Sequence, residues 1–113
     1  MATKDKITTI WLHYDLSIRG DYDALYAWLD QHKAKECGDS LAVFKFSYRR
    51  DLQKEITAEL ERLTQGHSSA RFYVIYRDPE SNKNKGFFAR GGRRASPWEG
   101  YSPASTPTAD IEE

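Results

Sequence analysis

The chain of 113 residues predicts an α+β fold, one antiparallel β-sheet with two α-helices packed on one of its faces. Three observations carry that expectation. The stretches TTIWLHYDL, LAVFKFSY and RFYVIY alternate with the period of two that belongs to a strand. Two stretches between them place apolar residues at helical spacings of three and four: Tyr22, Leu25, Tyr26 and Leu29, then Leu52, Ile56, Leu60 and Leu63. Turn-forming residues, Gly38-Asp39 and DPESNKNKG, separate the remaining strand segments.

The elements follow in order. Ile7 to Leu16 reads as a strand whose Ile10, Leu12, Tyr14 and Leu16 point one way, and whose Thr9, Trp11, His13 and Asp15 point the other. In the loop SIRGDYD, Asp21 is the expected N-cap, because a carboxylate there accepts from the free amides of the first turn. The first helix carries Trp28 beside its stripe and ends near Lys33. A short strand at Ala34 to Cys37 then meets a tight type II′ turn at Gly38 and Asp39, which returns the chain into a long strand, Leu41 to Tyr48. Asp51 caps the second helix and Gly66 stops it. The strand Arg71 to Arg77 follows, then the turn, then a fifth strand, Gly86 to Arg90.

The order βαββαβ with one added strand is ferredoxin-like, a split βαβ arrangement. Helices on one face make Leu12, Tyr14, Phe44, Phe46, Phe72 and Val74 the core side of the sheet. Trp11, His13, Val43, Lys45, Tyr73 and Ile75 then line the opposite side as neighbours, an aromatic and partly apolar patch of the kind that marks an interface. Single-stranded nucleic acid is one cover for such a face, through base stacking and phosphate contacts. A second copy of the chain is the other and the preferred one, with Trp11, His13, Val43, Tyr73 and Ile75 as the homodimer contacts. The long strand lacks the RNA-recognition-motif pattern, since Phe44 and Phe46 face inward.

Composition sets the class: 39% hydrophobic and 30% charged residues suit one soluble domain, residues 1–94, followed by a Pro-, Ser- and Thr-rich tail, 95–113, expected to be disordered beyond about Tyr101. No apolar run approaches a membrane span of roughly 20 residues, and no leader pattern opens the chain, so no membrane partner is expected. A single cysteine, Cys37, makes the cytoplasm the expected compartment. Net charge is zero, yet residues 1–94 hold 17 basic and 13 acidic residues, and the tail holds four acids with no Lys or Arg. The folded part is mildly basic, which permits RNA or DNA as a partner.

Few residues offer chemistry. Asp15 with Asp21 or Asp23 could hold a hard cation such as Mg²⁺, while the plain alternative is that Asp21 caps a helix and Asp15 ends a strand. His13 is an acid-base candidate or a packed surface ring, and Cys37 has no base placed beside it. The run KGFFARGGRR holds Lys85, Arg90, Arg93 and Arg94 without an acid, so these four are the candidate phosphate contacts, against the alternative of a solvated arm. No phosphate-binding glycine loop, zinc cysteine pair or hydrolase triad is present.

The triplet Tyr14-Asp15-Leu16 closing the first strand, the aromatic-and-leucine helix, the strand RFYVIY after the second helix and the extra strand GFFAR together resemble the small dimeric ribonuclease-like group that includes VapD and the second CRISPR adaptation protein. The resemblance spans about residues 7–90. It implies protomers packed sheet to sheet, an extra strand pairing with the partner's sheet, and Asp15 as the metal-binding catalytic residue of a metal-dependent nuclease, with a place in a toxin-antitoxin or CRISPR-related system. The loop SIRGDYD departs from the group in carrying one Arg and two acids where basic residues are usual. The alternative function is a non-catalytic dimeric regulatory or protein-interaction module.

Overall fold

The structure, a computed structural model, describes residues 5–17, 21–65 and 69–103. Its elements are β1 (Lys6–Asp15), α1 (Tyr22–Gln31), β2 (Lys35–Glu36), β3 (Leu41–Tyr48), α2 (Leu52–Leu63), β4 (Arg71–Asp78) and β5 (Lys83–Arg90). The fold is α+β, with one open five-stranded sheet in the order β2-β3-β1-β4-β5. All neighbouring strands are antiparallel. No helix among the described residues is long and apolar enough to cross a membrane.

Register turns the sequence alternation into two faces. Ile10 lies opposite Phe44 and Tyr76, and Leu12 opposite Ala42 and Val74, so these side chains share one side of the sheet. Both helices cover that side: the Trp28 ring of α1 meets Phe44 edge-on at 5.2 Å, and Gln53 of α2 donates to the Tyr76 hydroxyl at 2.8 Å. Ile10, Leu12, Leu25, Phe46, Ile56, Leu60, Phe72 and Val74 are buried there. Burying large aliphatic and aromatic side chains of this kind contributes about 1.5–3 kcal/mol each, so this layer holds the sheet and helices together.

Local chemistry fixes the helix starts. Asp21 accepts from the Ala24 amide at 3.1 Å and Asp51 from the Lys54 amide at 3.1 Å, as the sequence predicts for N-caps. Glu55 reaches back over the start of α2 and takes the amides of Arg49, Arg50 and Asp51 at 2.8 to 2.9 Å. Those three donors hold its carboxyl below the ordinary value.

Several expectations change. Tyr26, assigned to the α1 stripe, is 53% exposed, and Trp28 takes the core position with its indole N–H donating to Glu59 at 3.0 Å. The β2–β3 connection is a three-residue loop, not a two-residue II′ turn: Cys37 donates to the Leu41 carbonyl at 2.9 Å around Gly38, Asp39 and Ser40, and Ser40 has φ 62°. The short strand contracts to Lys35–Glu36, and β5 begins at Lys83 instead of Gly86. Asn82 donates to the Asp78 carbonyl at 2.8 Å with φ 57°, closing the turn early. Gly66 and residues 104–113 of the tail lie outside the described residues.

Candidate binding face of the sheet

The side of the sheet away from the helices collects the odd positions of the central strands. Trp11 lies opposite Val43 on β3 and Ile75 on β4, and His13 lies opposite Leu41 and Tyr73. The sequence places Trp11, His13, Val43, Lys45, Tyr73 and Ile75 on this face, and the register brings them together. Trp11 is 36% and Ile75 38% exposed, which is high for side chains in the middle of a sheet. β5 extends the aromatic surface, because Tyr73 pairs with Phe88 and their rings meet edge-on at 4.8 Å. Gly86, opposite Ile75, leaves room for the Tyr73 ring: a Cβ there would overlap its hydroxyl and sit 2.8 Å from Cζ. Arg93 then places its guanidinium 5.5 Å from the centre of the Phe88 ring, a cation–π contact.

Cations surround this apolar middle. Lys45 lies opposite Thr9, Lys35 opposite Val43, and Arg71 opposite Asp15. Arg77, two positions beyond Ile75, bonds the neutral side chains of Asn82 and Asn84 at 2.8 and 3.4 Å and keeps its full charge. A recess of about 390 Å³ opens at the β3 side between Lys33, Lys35, Lys45, Val43 and His32. Among the described residues, carboxylates at the register positions of this face stand at its two ends. One is Asp15, and the other is Asp5, 3.2 Å from the Ser47 hydroxyl.

Asp15 is held by backbone. Its Oδ1 accepts the Ser17 amide at 2.9 Å, and this short turn, with Ser17 at φ 60°, ends β1. Asp21 is committed to its cap, and Asp23 is exposed in the first turn of α1. No group of three or more His, Cys, Asp or Glu side chains that could hold a metal ion gathers among the described residues.

The basic run divides. Lys85 lies opposite Tyr76, on the helix side, and its ammonium is 2.9 Å from Asp78. Asp78 is held well below the carboxylate range, first by the Ser81 hydroxyl and then by Lys85, and Lys85 is raised in turn. Arg90 lies opposite Phe72 beyond a register shift, half-buried, while Arg93 joins the aromatic face and Arg94 is exposed. Cys37 is exposed on the β2–β3 loop, its thiol 3.8 Å from the Lys35 carbonyl.

Sequence reasoning missed two groups. The His32 ring packs on Trp28 at 4.3 Å and lies parallel to Phe46 at 5.9 Å, with Nδ1 2.8 Å from the Trp28 carbonyl. A carbonyl only accepts, so Nδ1 carries the hydrogen. The other is the tyrosine group Tyr14, Tyr22 and Tyr26, with ring centres 5.6 to 6.5 Å apart. Burial first, and the neighbouring tyrosines next, push the Tyr14 phenol above its ordinary value. Spacing along α1 brings Tyr22 and Tyr26 together, but their meeting with Tyr14 is a tertiary contact.

No protein-family model matches the chain, no curated protein matches it in sequence and no solved structure matches it in fold, so the face and its chemistry stand as the basis for a functional reading.

Proposed function

We propose that the chain is a nucleic-acid-associated protein that binds single-stranded RNA or DNA on the uncovered face of its sheet. The single observation that carries this is the composition of that face. Trp11, Tyr73 and Phe88 offer flat rings at its centre, and Lys35, Lys45, Arg71 and Arg77 flank them. Rings stack on bases of any sequence, and the cations meet phosphates. Four-stranded sheets of this general kind stack two or three bases in this way. The strand order, with β1 and β3 central and β4 beside β1, supports the ferredoxin-like assignment made from the sequence.

The homodimer expected from the sequence uses the same residues and is the less favoured occupant. Face-to-face packing about a two-fold axis would bring Lys35, Lys45, Arg71 and Arg77 toward their own copies, and like charges brought together oppose association. The VapD-like nuclease reading takes its catalytic residue from Tyr14-Asp15-Leu16, where Asp15 accepts the Ser17 amide.

The experiment is fluorescence anisotropy of labelled oligothymidylate and oligouridylate, with sedimentation of the free protein beside it. Binding that falls in both Trp11→Ala and Tyr73→Ala supports the reading. Absence of binding at micromolar protein and low salt overturns it, as does a dimer that Trp11→Ala dissociates, since the face is then a self-interface. Metal-dependent cleavage lost in Asp15→Asn would restore the enzyme reading.

A further inference from the structure

The binding face is basic and the end of the chain is acidic. Residues 104–113 read ASTPTADIEE, with Asp110, Glu112 and Glu113 as carboxylates and no Lys or Arg.

The chain leaves β5 on the side of this face, as far as Arg93. After β5 the backbone turns at Gly91, φ 75°, where a Cβ would crowd Arg71 Cγ at 2.9 Å. Arg93 then folds its guanidinium onto Phe88, on the uncovered face. From β5 to β3 the face is three strand spacings wide, about 14 Å at roughly 4.8 Å each. Ten extended residues reach about 33 Å. The segment from Ala104 onward has ample length to lie across the rings to Lys45.

We infer that the acidic segment 104–113 docks on its own chain's basic, aromatic sheet face and occupies the surface that nucleic acid would use. Carboxylates of Asp110, Glu112 and Glu113 take the place of phosphates. The docking stands on charge and reach alone; its competition with nucleic acid rests on the binding reading above. Such a segment holds the face shut at low ionic strength and yields to a longer polyanion, because one chain carries only a few charges and a nucleic acid carries many.

The test compares the full chain with its full-length variant D110N/E112Q/E113Q. The three indole N–H signals in a proton–nitrogen NMR spectrum separate the sites, since Trp11 is on the face, Trp28 in the core and Trp98 71% exposed beyond β5. Docking shifts the Trp11 signal between the two proteins, leaves Trp28 unmoved, and loses the difference at about 0.5 M salt, where the screening length falls toward a few ångströms. Oligothymidylate then binds the variant about fivefold to tenfold more tightly than the full chain. An unchanged Trp11 signal overturns the inference. So does a Trp11 shift that grows with protein concentration, which assigns the face to another copy's tail. A shifted Trp11 with no oligonucleotide bound by either protein sustains the docking and overturns the nucleic-acid reading.

Discussion

Salt dependence is the sharpest test of the binding face, because its size follows from the cations on the sheet. Lys35, Lys45, Arg71 and Arg77 occupy strand positions on the uncovered side, a set of four. Each phosphate neutralised on a single strand contributes about −0.7 to the slope of log K against log salt, so four contacts give about −2.8. Between 50 and 200 mM salt that slope weakens binding about fiftyfold. Lys45→Ala removes one contact, brings the slope to about −2.1, and reduces the same loss to about twentyfold. Trp11→Ala acts on stacking, worth about 1–3 kcal/mol per base, and lowers affinity roughly fivefold to 150-fold at every salt concentration without changing the slope. Anisotropy titrations of labelled oligothymidylate at five salt concentrations, in the D110N/E112Q/E113Q background where the tail does not compete, measure both. A slope shallower than about −1, or a Lys45→Ala protein that retains the full slope, refutes the argument. A Trp11→Ala protein that changes the slope and leaves low-salt affinity intact refutes it equally.

Three further outcomes concern the scaffold. Phe72→Ala empties a fully buried site and lowers unfolding free energy by about 3–5 kcal/mol, read by urea denaturation. Glu55 is held below its ordinary value of 4.5 by the amides of Arg49, Arg50 and Asp51, so its contribution is complete above that value and is lost as pH falls through the lower folded one. Glu55→Gln therefore lowers Tm at pH 7, and the gap from the parent narrows at pH 3. Gly86→Ala pushes the Tyr73 ring off its strand and lowers Tm, and the loss shrinks in a Tyr73→Ala background, where the double-mutant cycle isolates the contact.

The legible part of the fold was the part that single-strand periodicity controls. Leu41–Tyr48 matches the sequence reading residue for residue, and α2 starts directly after the expected Asp51 cap, because alternation and a capped stripe state their own limits. Lys83-Asn84-Lys85 hid the first half of β5, since polar edge residues look like a loop and are what an edge strand uses against unwanted pairing. Tyr26 and Trp28 exchanged places for a tertiary reason: the bulkier indole fills the space against Phe44, and its N–H finds Glu59. The face around Trp11 was legible because one parity fixes it on every central strand. Phe88 and Arg93 were not legible as part of it, because the register that sets Phe88 opposite Tyr73 is a tertiary pairing that no local pattern encodes.

The two faces divide the chain's tasks: one carries the core, and the other an exposed aromatic surface. Even positions such as Ile10, Leu12, Phe72 and Val74 carry the stability, so odd positions are free to hold Trp11 and Ile75 at a cost the core easily offsets. On the proposed reading, the lysines and arginines that border the apolar strip attract an anion and oppose a second copy of the same face. The edges follow the same logic. β5 is an outer strand of eight residues with Lys83 and Lys85 along it, and Lys85 is fixed by Asp78. On the other side β2 pairs only Lys35 and Glu36 with β3, leaving β3 from Phe44 onward uncovered beside Lys45. Positive charge therefore guards the face and both edges alike. On the reading proposed above, such a surface selects its partner by charge before shape, which favours a polyanion, whether a nucleic acid or the chain's own acidic end, over a second neutral or basic sheet.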